Sequence, residues 1–213
     1  YCDFVSYPAP DIESAAPAYL GAVLGELRLR QDELCRVAPI ETVYIGGGTP
    51  TCVPPRLLGA FLEELLQAVR AVSATADTVG PANDIEVTVE ANPKTVDREG
   101  LAALRAAGAN RLSLGFQSLA DRELAALGRI HSAHDCLRAY GDARAAGFSN
   151  ISVDLILGAP GQTCASLKGT VDAVIDLGPQ HVSAYCLSLE PGTPLADAAR
   201  AGVVSVPDED DAA

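Results

Sequence analysis

No methionine occurs anywhere in the 213 residues, and the chain opens on Tyr1 and Cys2; the expectation is a piece of a longer protein. Clusters of Lys and Arg are lacking too. Fifteen basic residues stand against 28 acidic ones, a formal net charge of −13. That balance argues against a nucleic-acid partner, because such binding rests on neutralising phosphates. An acidic membrane surface is repelled on the same ground. There is no apolar run of transmembrane length and no basic-then-apolar leader, so a cytoplasmic protein with no transmembrane segment is expected. Also missing is any CxxC spacing among Cys2, Cys35, Cys52, Cys136, Cys164 and Cys186. Scattered in this way, the cysteines are expected to be mostly free thiols, unlike the dense framework of a small secreted domain.

What is present is a chain with 48% apolar residues, the size of one ordinary domain. Five apolar runs bounded by Gly or Pro are expected strands: 42–45, 85–90, 111–116, 151–157 and 181–189. Their near-continuous apolar character predicts a parallel sheet buried on both faces. Between them lie helical stripes. The clearest is Leu58, Phe61, Leu62, Leu65, Leu66, Val69 and Val72 behind Pro54 and Pro55, and another, Leu20, Val23, Leu24 and Leu27, precedes the first strand. Ser118 with Asp121, and Ser132 with Asp135, fit the capping box. Gly108, Gly147 and Gly178 stand where a left-handed residue ends a helix. The repeated unit is helix, Gly turn, strand, loop, which defines an α/β fold of the β/α-barrel or doubly wound type.

In such folds functional groups gather in the loops after the strands. Those loops read GGGTPT (46–51), EANP (90–93), FQS (116–118), GAPGQT (158–163) and EPGTPL (190–195). The three glycines let a ligand approach the backbone closely, but the spacing is neither that of a nucleotide P-loop nor that of the dinucleotide fingerprint. Glu90 is either an acceptor for an ammonium or a ribose hydroxyl, or a solvated acid at a strand end. Gln117 follows a strand. Asp154 lies inside one, where an acid without a partner is costly. Arg129, in LGRIHS, is either a site residue or a cation favoured by a helix terminus. His131 and His134 are three apart, but no third metal ligand is arranged with them.

Taken in order, YCDF, YIGGGTPT, VEANP, RLSLGFQSLADRELAALGRIHS, DLILGAPGQT and LSLEPGTPL resemble the oxygen-independent coproporphyrinogen-III oxidase-like branch of the radical SAM superfamily, and within it the heme-chaperone group. The resemblance runs from residue 1 to about residue 196, with 197–213 expected to begin a linker to a further domain. It implies an open (βα)6 partial barrel whose first strand is missing from this chain. It also implies a [4Fe-4S] cluster held by a CxxxCxYC motif, of which Tyr1 and Cys2 are the last two positions. By the same resemblance Cys2 is the metal ligand, Tyr1 packs beside the cluster, and Gly47, Gly48 and Thr49 meet the methionyl end of S-adenosylmethionine. Glu90, Gln117, Arg129 and Asp154 surround the rest of it, with Arg129 suited to the carboxylate and Asp154 to the ribose. Phe4 stands where the oxidases have a further cysteine, which favours a carrier of heme to a recipient protein. The alternatives are the oxidase itself, acting on porphyrinogen, and an ordinary β/α enzyme with a phosphate-binding Gly loop.

Overall fold

The computed structural model describes residues 1–3, 10–34, 40–74 and 85–206; Phe4, Cys35 and the tail from Pro207 lie outside the described residues. β1 (Thr42–Ile45), β2 (Glu86–Ala91), β3 (Arg111–Gln117), β4 (Asn150–Leu157) and β5 (His181–Cys186) lie side by side in chain order, every pair parallel. Helical crossovers join them: α3 (Pro55–Ala74), α4 (Arg98–Ala106), α5 (Asp121–Ala126), α6 (Ala133–Ala145) and α7 (Cys164–Leu177). Before β1 come α1 (Ile12–Leu29) and α2 (Gln31–Leu34), and after β5 comes α8 (Pro194–Arg200), which runs through residue 196. The strands match the expected runs to within a residue except at the end of β5. β4 stops at Leu157, so Ser188 and Leu189 have no neighbour to pair with, and the strand ends at Cys186.

Side chains alternate across each strand, and the two faces of the sheet are chemically different. Val87, Val89 and Ala91 of β2, Leu112, Leu114 and Phe116 of β3, and Ile151, Val153 and Leu155 of β4 join one core with the helices. All seven residues of the expected α3 stripe are buried, each worth on the order of 1.5–3 kcal/mol of hydrophobic transfer. The other face carries Tyr44, Thr88, Glu90, Ser113, Ser152, Asp154, His181, Ser183 and Tyr185. It is polar and paired within itself: Ser152 Oγ lies 2.9 Å from His181 Nδ1, and Arg111 Nη1 donates to Thr88 Oγ1 at 3.2 Å. Tyr44 and Tyr185, on the two edge strands, stay more than half exposed. The sheet is thus buried on both faces at its central strands, where Thr88, Ser113 and Ser152 are buried, but the second face is polar and not apolar.

Helix ends follow local chemistry. Ser132 caps α6 in a reciprocal box with Asp135. The same pattern at Ser118 does not form: α5 starts after Ala120, without a side-chain cap. Ser118 instead donates to the buried Glu123 carboxylate at 2.7 Å, and Asp121 Oδ1 accepts the Ala133 N–H at 2.7 Å. A charge-assisted bond outweighs a neutral cap. After α4 and α6, Gly108 (φ 111°) and Gly147 (φ 93°) take the left-handed conformation expected of them. The following residues, Ala109 and Phe148, donate back to Leu104 and Ala143, as in a Schellman turn.

Candidate cofactor-binding site

Of the expected site residues, Glu90 and Asp154 lie on the polar face, Gly47, Gly48 and Thr49 in the loop after β1, Gln117 at the end of β3, Arg129 after α5, and Tyr1 and Cys2 at the start of the chain. At the first loop, a Cβ on Gly46 would lie 2.9 Å from Tyr44 Cε1 and 3.1 Å from Glu90 Oε1. The bare backbone is what admits that pair, in which the Tyr44 hydroxyl donates to Glu90 Oε1 at 2.9 Å. Partial desolvation, and then the adjoining Glu90 carboxylate, push the Tyr44 phenol up to about 12. Gly47 has φ 115°, and its α-carbon faces open space. The Thr49 hydroxyl donates to the Gly48 carbonyl at 2.7 Å. Thr51, buried, ties this loop to the next, with Oγ1 2.6 Å from Thr95 Oγ1 and 3.4 Å from the Asn92 N–H it accepts.

Glu90 is in register with Ser113, and Gly115 with Asp154, so the two acids flank β3 from either side. The Ser113 hydroxyl lies 3.1 and 2.9 Å from the two Asp154 oxygens, which supplies the partner an acid inside a strand requires. Over Gly115 two further groups converge. Gln117 Nε2 and Arg129 Nη2 lie 2.9 and 3.4 Å from where a Cβ would stand, and Arg129 Nη2 donates to the Gly115 carbonyl at 3.4 Å. Arg129 is not in the last turn of α5. Leu127 caps that helix, Gly128 (φ 71°) turns left-handed, and Arg129, next in line, donates its backbone N–H to Leu124 at 2.9 Å. The turn aims the guanidinium across the strand ends, which the dipole reading of this residue does not account for. Its Nε is buried without a partner.

Tyr1 sits beneath this cation, its hydroxyl 3.5 Å from Arg129 Nη1 and its ring against a small cluster that includes Leu127, Ile156, Ala159 and Leu195. Burial raises its phenol pKa, while Arg129 draws it down. Cys2, the next residue, is exposed. Among the described residues no group of three His, Cys, Asp or Glu side chains is placed to hold a metal ion. His131 is buried and His134 exposed, so the two do not form a pair. The described cysteines, Cys2, Cys52, Cys136, Cys164 and Cys186, are free thiols.

A buried polar network holds the fourth loop against the third. Gln162 accepts the Gly158 N–H at 2.7 Å and donates to Glu123 Oε2 at 3.0 Å and to the Ile156 carbonyl at 3.2 Å. Glu123 is fully buried, with Ser118 as its second donor. Sequence reasoning missed Tyr44, Ser113, Gly115, Glu123 and Gln162. For the first three the signal was there: they are the alternate positions of strands whose other residues are apolar.

The fold is a parallel α/β partial barrel, with an amide and an arginine over Gly115 and an acid on each strand flanking β3. The chain belongs to the Radical SAM superfamily, whose family description matches residues 1–174. It is 42% identical over 211 residues to the heme chaperone HemW of Mycobacterium tuberculosis, covering 99% of this chain and 51% of that protein. It is 39% identical over its whole length to the mitochondrial radical S-adenosyl methionine domain-containing protein 1 of Bos taurus, covering 45% of it. Among solved structures, coproporphyrinogen III oxidase (HemN) from Escherichia coli superposes with a TM-score of 0.76 at 25% identity, over 99% of this chain and 46% of that one. The chain thus spans about half the length of the curated relatives it matches. No helix among the described residues is long and apolar enough to cross a membrane.

Proposed function

We propose that this chain is the cofactor-binding core of a heme-chaperone-type radical SAM protein. It binds S-adenosylmethionine at the rim, contributes Cys2 to a [4Fe-4S] cluster in the longer protein, and serves the delivery of heme to a recipient protein. The observation that carries this reading is the placement of Gln117 and Arg129 over Gly115, with Glu90 and Asp154 on the strands to either side. Glu90 and Asp154 suit an ammonium and ribose hydroxyls. Arg129, with a buried donor to spare, suits a carboxylate, and S-adenosylmethionine carries each of these groups. Gly47 leaves the backbone open to the methionyl end, with Gly48 and Thr49 beside it. Cluster and S-adenosylmethionine supply one-electron reductive chemistry when bound; the chain's own residues orient the ligand and keep its charges paired.

The 42% identity to a heme chaperone favours a carrier, as does Phe4 in place of a fourth cysteine. The oxidase reading, conversion of coproporphyrinogen III to protoporphyrinogen IX, is favoured by the superposition on the Escherichia coli enzyme. The experiment uses full-length protein reconstituted anaerobically with iron and sulfide, then supplied with reductant, S-adenosylmethionine and coproporphyrinogen III, and separately titrated with heme. Tight heme binding with no protoporphyrinogen is the expected result. Turnover would establish the oxidase instead, and S-adenosylmethionine affinity unchanged by Arg129→Ala would overturn the rim assignment.

A further inference from the structure

Gln117 is the only non-glycine residue with positive φ among the described residues, at 69°. It closes β3 at an irregularity in the ladder. The register passes from Gly115 opposite Asp154 to Gln117 opposite Leu155, so β3 advances two residues for one on β4 and Phe116 is the extra residue of a bulge. A glutamine has no local reason to be left-handed; its side chain gains nothing there that Asn or Asp would gain, and its Cβ disfavours the conformation by roughly five- to thirtyfold. Something outside the strand must hold it.

The Phe116 carbonyl shows what does. Its oxygen lies 3.1 Å from His131 Nε2 and 3.9 Å from Cys136 Sγ. A carbonyl only accepts, so the ring must carry its proton on Nε2. His131 is itself fixed in place, because the next residue, Ser132, is locked in the reciprocal cap of α6. It is buried, and its Nδ1 has no partner. A buried imidazole that spends its one donor on the carbonyl just before a strained residue, leaving its other nitrogen unused, is placed for that carbonyl.

We infer that His131 is a positioning residue for Gln117: by holding the Phe116 carbonyl out of the ladder, it keeps Gln117 left-handed, with its amide over Gly115 beside Arg129. The inference deepens the function proposed above and rests on it only for its last step, the contact of that amide with S-adenosylmethionine.

The bracing is tested in full-length protein without ligand. His131→Phe, Gln117→Gly and the double substitution form a thermodynamic cycle read by urea midpoint. Glycine takes φ 69° unaided, so His131→Phe is expected to lower the midpoint clearly in the parent and much less in the Gln117→Gly background. His131→Gln, which keeps a donor near the Nε2 position, is expected to restore most of the loss. Equal losses in both backgrounds would overturn the inference. Should His131→Phe not fold, Gln117→Ala against Gln117→Gly decides: alanine must be the less stable by roughly five- to thirtyfold in the folding constant, and His131→Gln must still fold with it, or the inference fails. A separate measurement follows S-adenosylmethionine affinity of the reconstituted protein. A stability cycle that couples as expected while affinity ignores both residues would sink the proposed site and leave the brace standing.

Discussion

Tyr44 and Glu90 meet across the boundary between β1 and β2, hydroxyl to carboxylate at 2.9 Å, directly over the bare backbone of Gly46. The pair couples an exposed edge strand to a rim acid, so the Tyr44 phenol reports the charge beside it. Tyr44 titrates near 12, for partial desolvation first and for Glu90 second. Glu90→Gln removes the charge and leaves the desolvation, so the phenol is expected to move down toward its ordinary 10.0 without reaching it. An ultraviolet titration, differenced against Tyr44→Phe, measures the shift.

The cap of α6 makes stability depend on acid. Asp135 is held down to about 2 by the Ser132 backbone N–H and hydroxyl, with Lys94 adding to the effect. Its folded value lies below its unfolded one, so its contribution is whole above roughly pH 4 and is lost as pH falls toward 2. Urea midpoints taken across that window should fall less steeply for Asp135→Asn than for the parent. Ser132→Ala should cost about 1 kcal/mol at neutral pH.

His131 works in the opposite part of the scale. Burial lowers its pKa, Arg129 and Lys94 adding to this, while the Phe116 carbonyl and Asp135 act against it. The folded protein thus resists a proton that the unfolded chain takes up below about 6.5. The stability it confers is whole above that pH and declines as pH drops through it. Thermal midpoints measured between about pH 7.5 and 5 should decline for the parent and flatten for His131→Gln.

Gln162 satisfies three partners with one amide. Gln162→Ala strands the Gly158 N–H and removes a donor from a fully buried carboxylate, a loss of about 1–3 kcal/mol. Denaturant unfolding checks the loss. Glu123→Gln should restore much of the stability in that background, since an amide tolerates the missing donor better than a carboxylate does.

The helices and strands were legible because each apolar set is spaced for its element, from Leu58 to Val72 in α3 and from Leu112 to Phe116 in β3. The polar face was harder to see, because Thr88, Ser113 and Ser152 sit one at a time among Val, Leu and Ile, and a run averaged over six residues reads as apolar. Ser118 misled because a capping pattern is local, while the buried Glu123 that captures its hydroxyl is placed by tertiary packing. For Arg129 the clue was the glycine before it, whose left-handed turn carries the chain off the helix. His131 looked bland in sequence, since nothing there reveals which carbonyl a histidine will meet.

The division of the sheet into two unlike faces has an evolutionary reach. Val87, Val89 and Ala91 of β2, with Leu112, Leu114 and Phe116 of β3, grip the helices, while their neighbours Thr88, Glu90 and Ser113 form the polar face. Substitutions confined to the polar face therefore leave the apolar grip untouched. A lineage could rewrite that face through a few alternate residues and keep the same scaffold standing throughout.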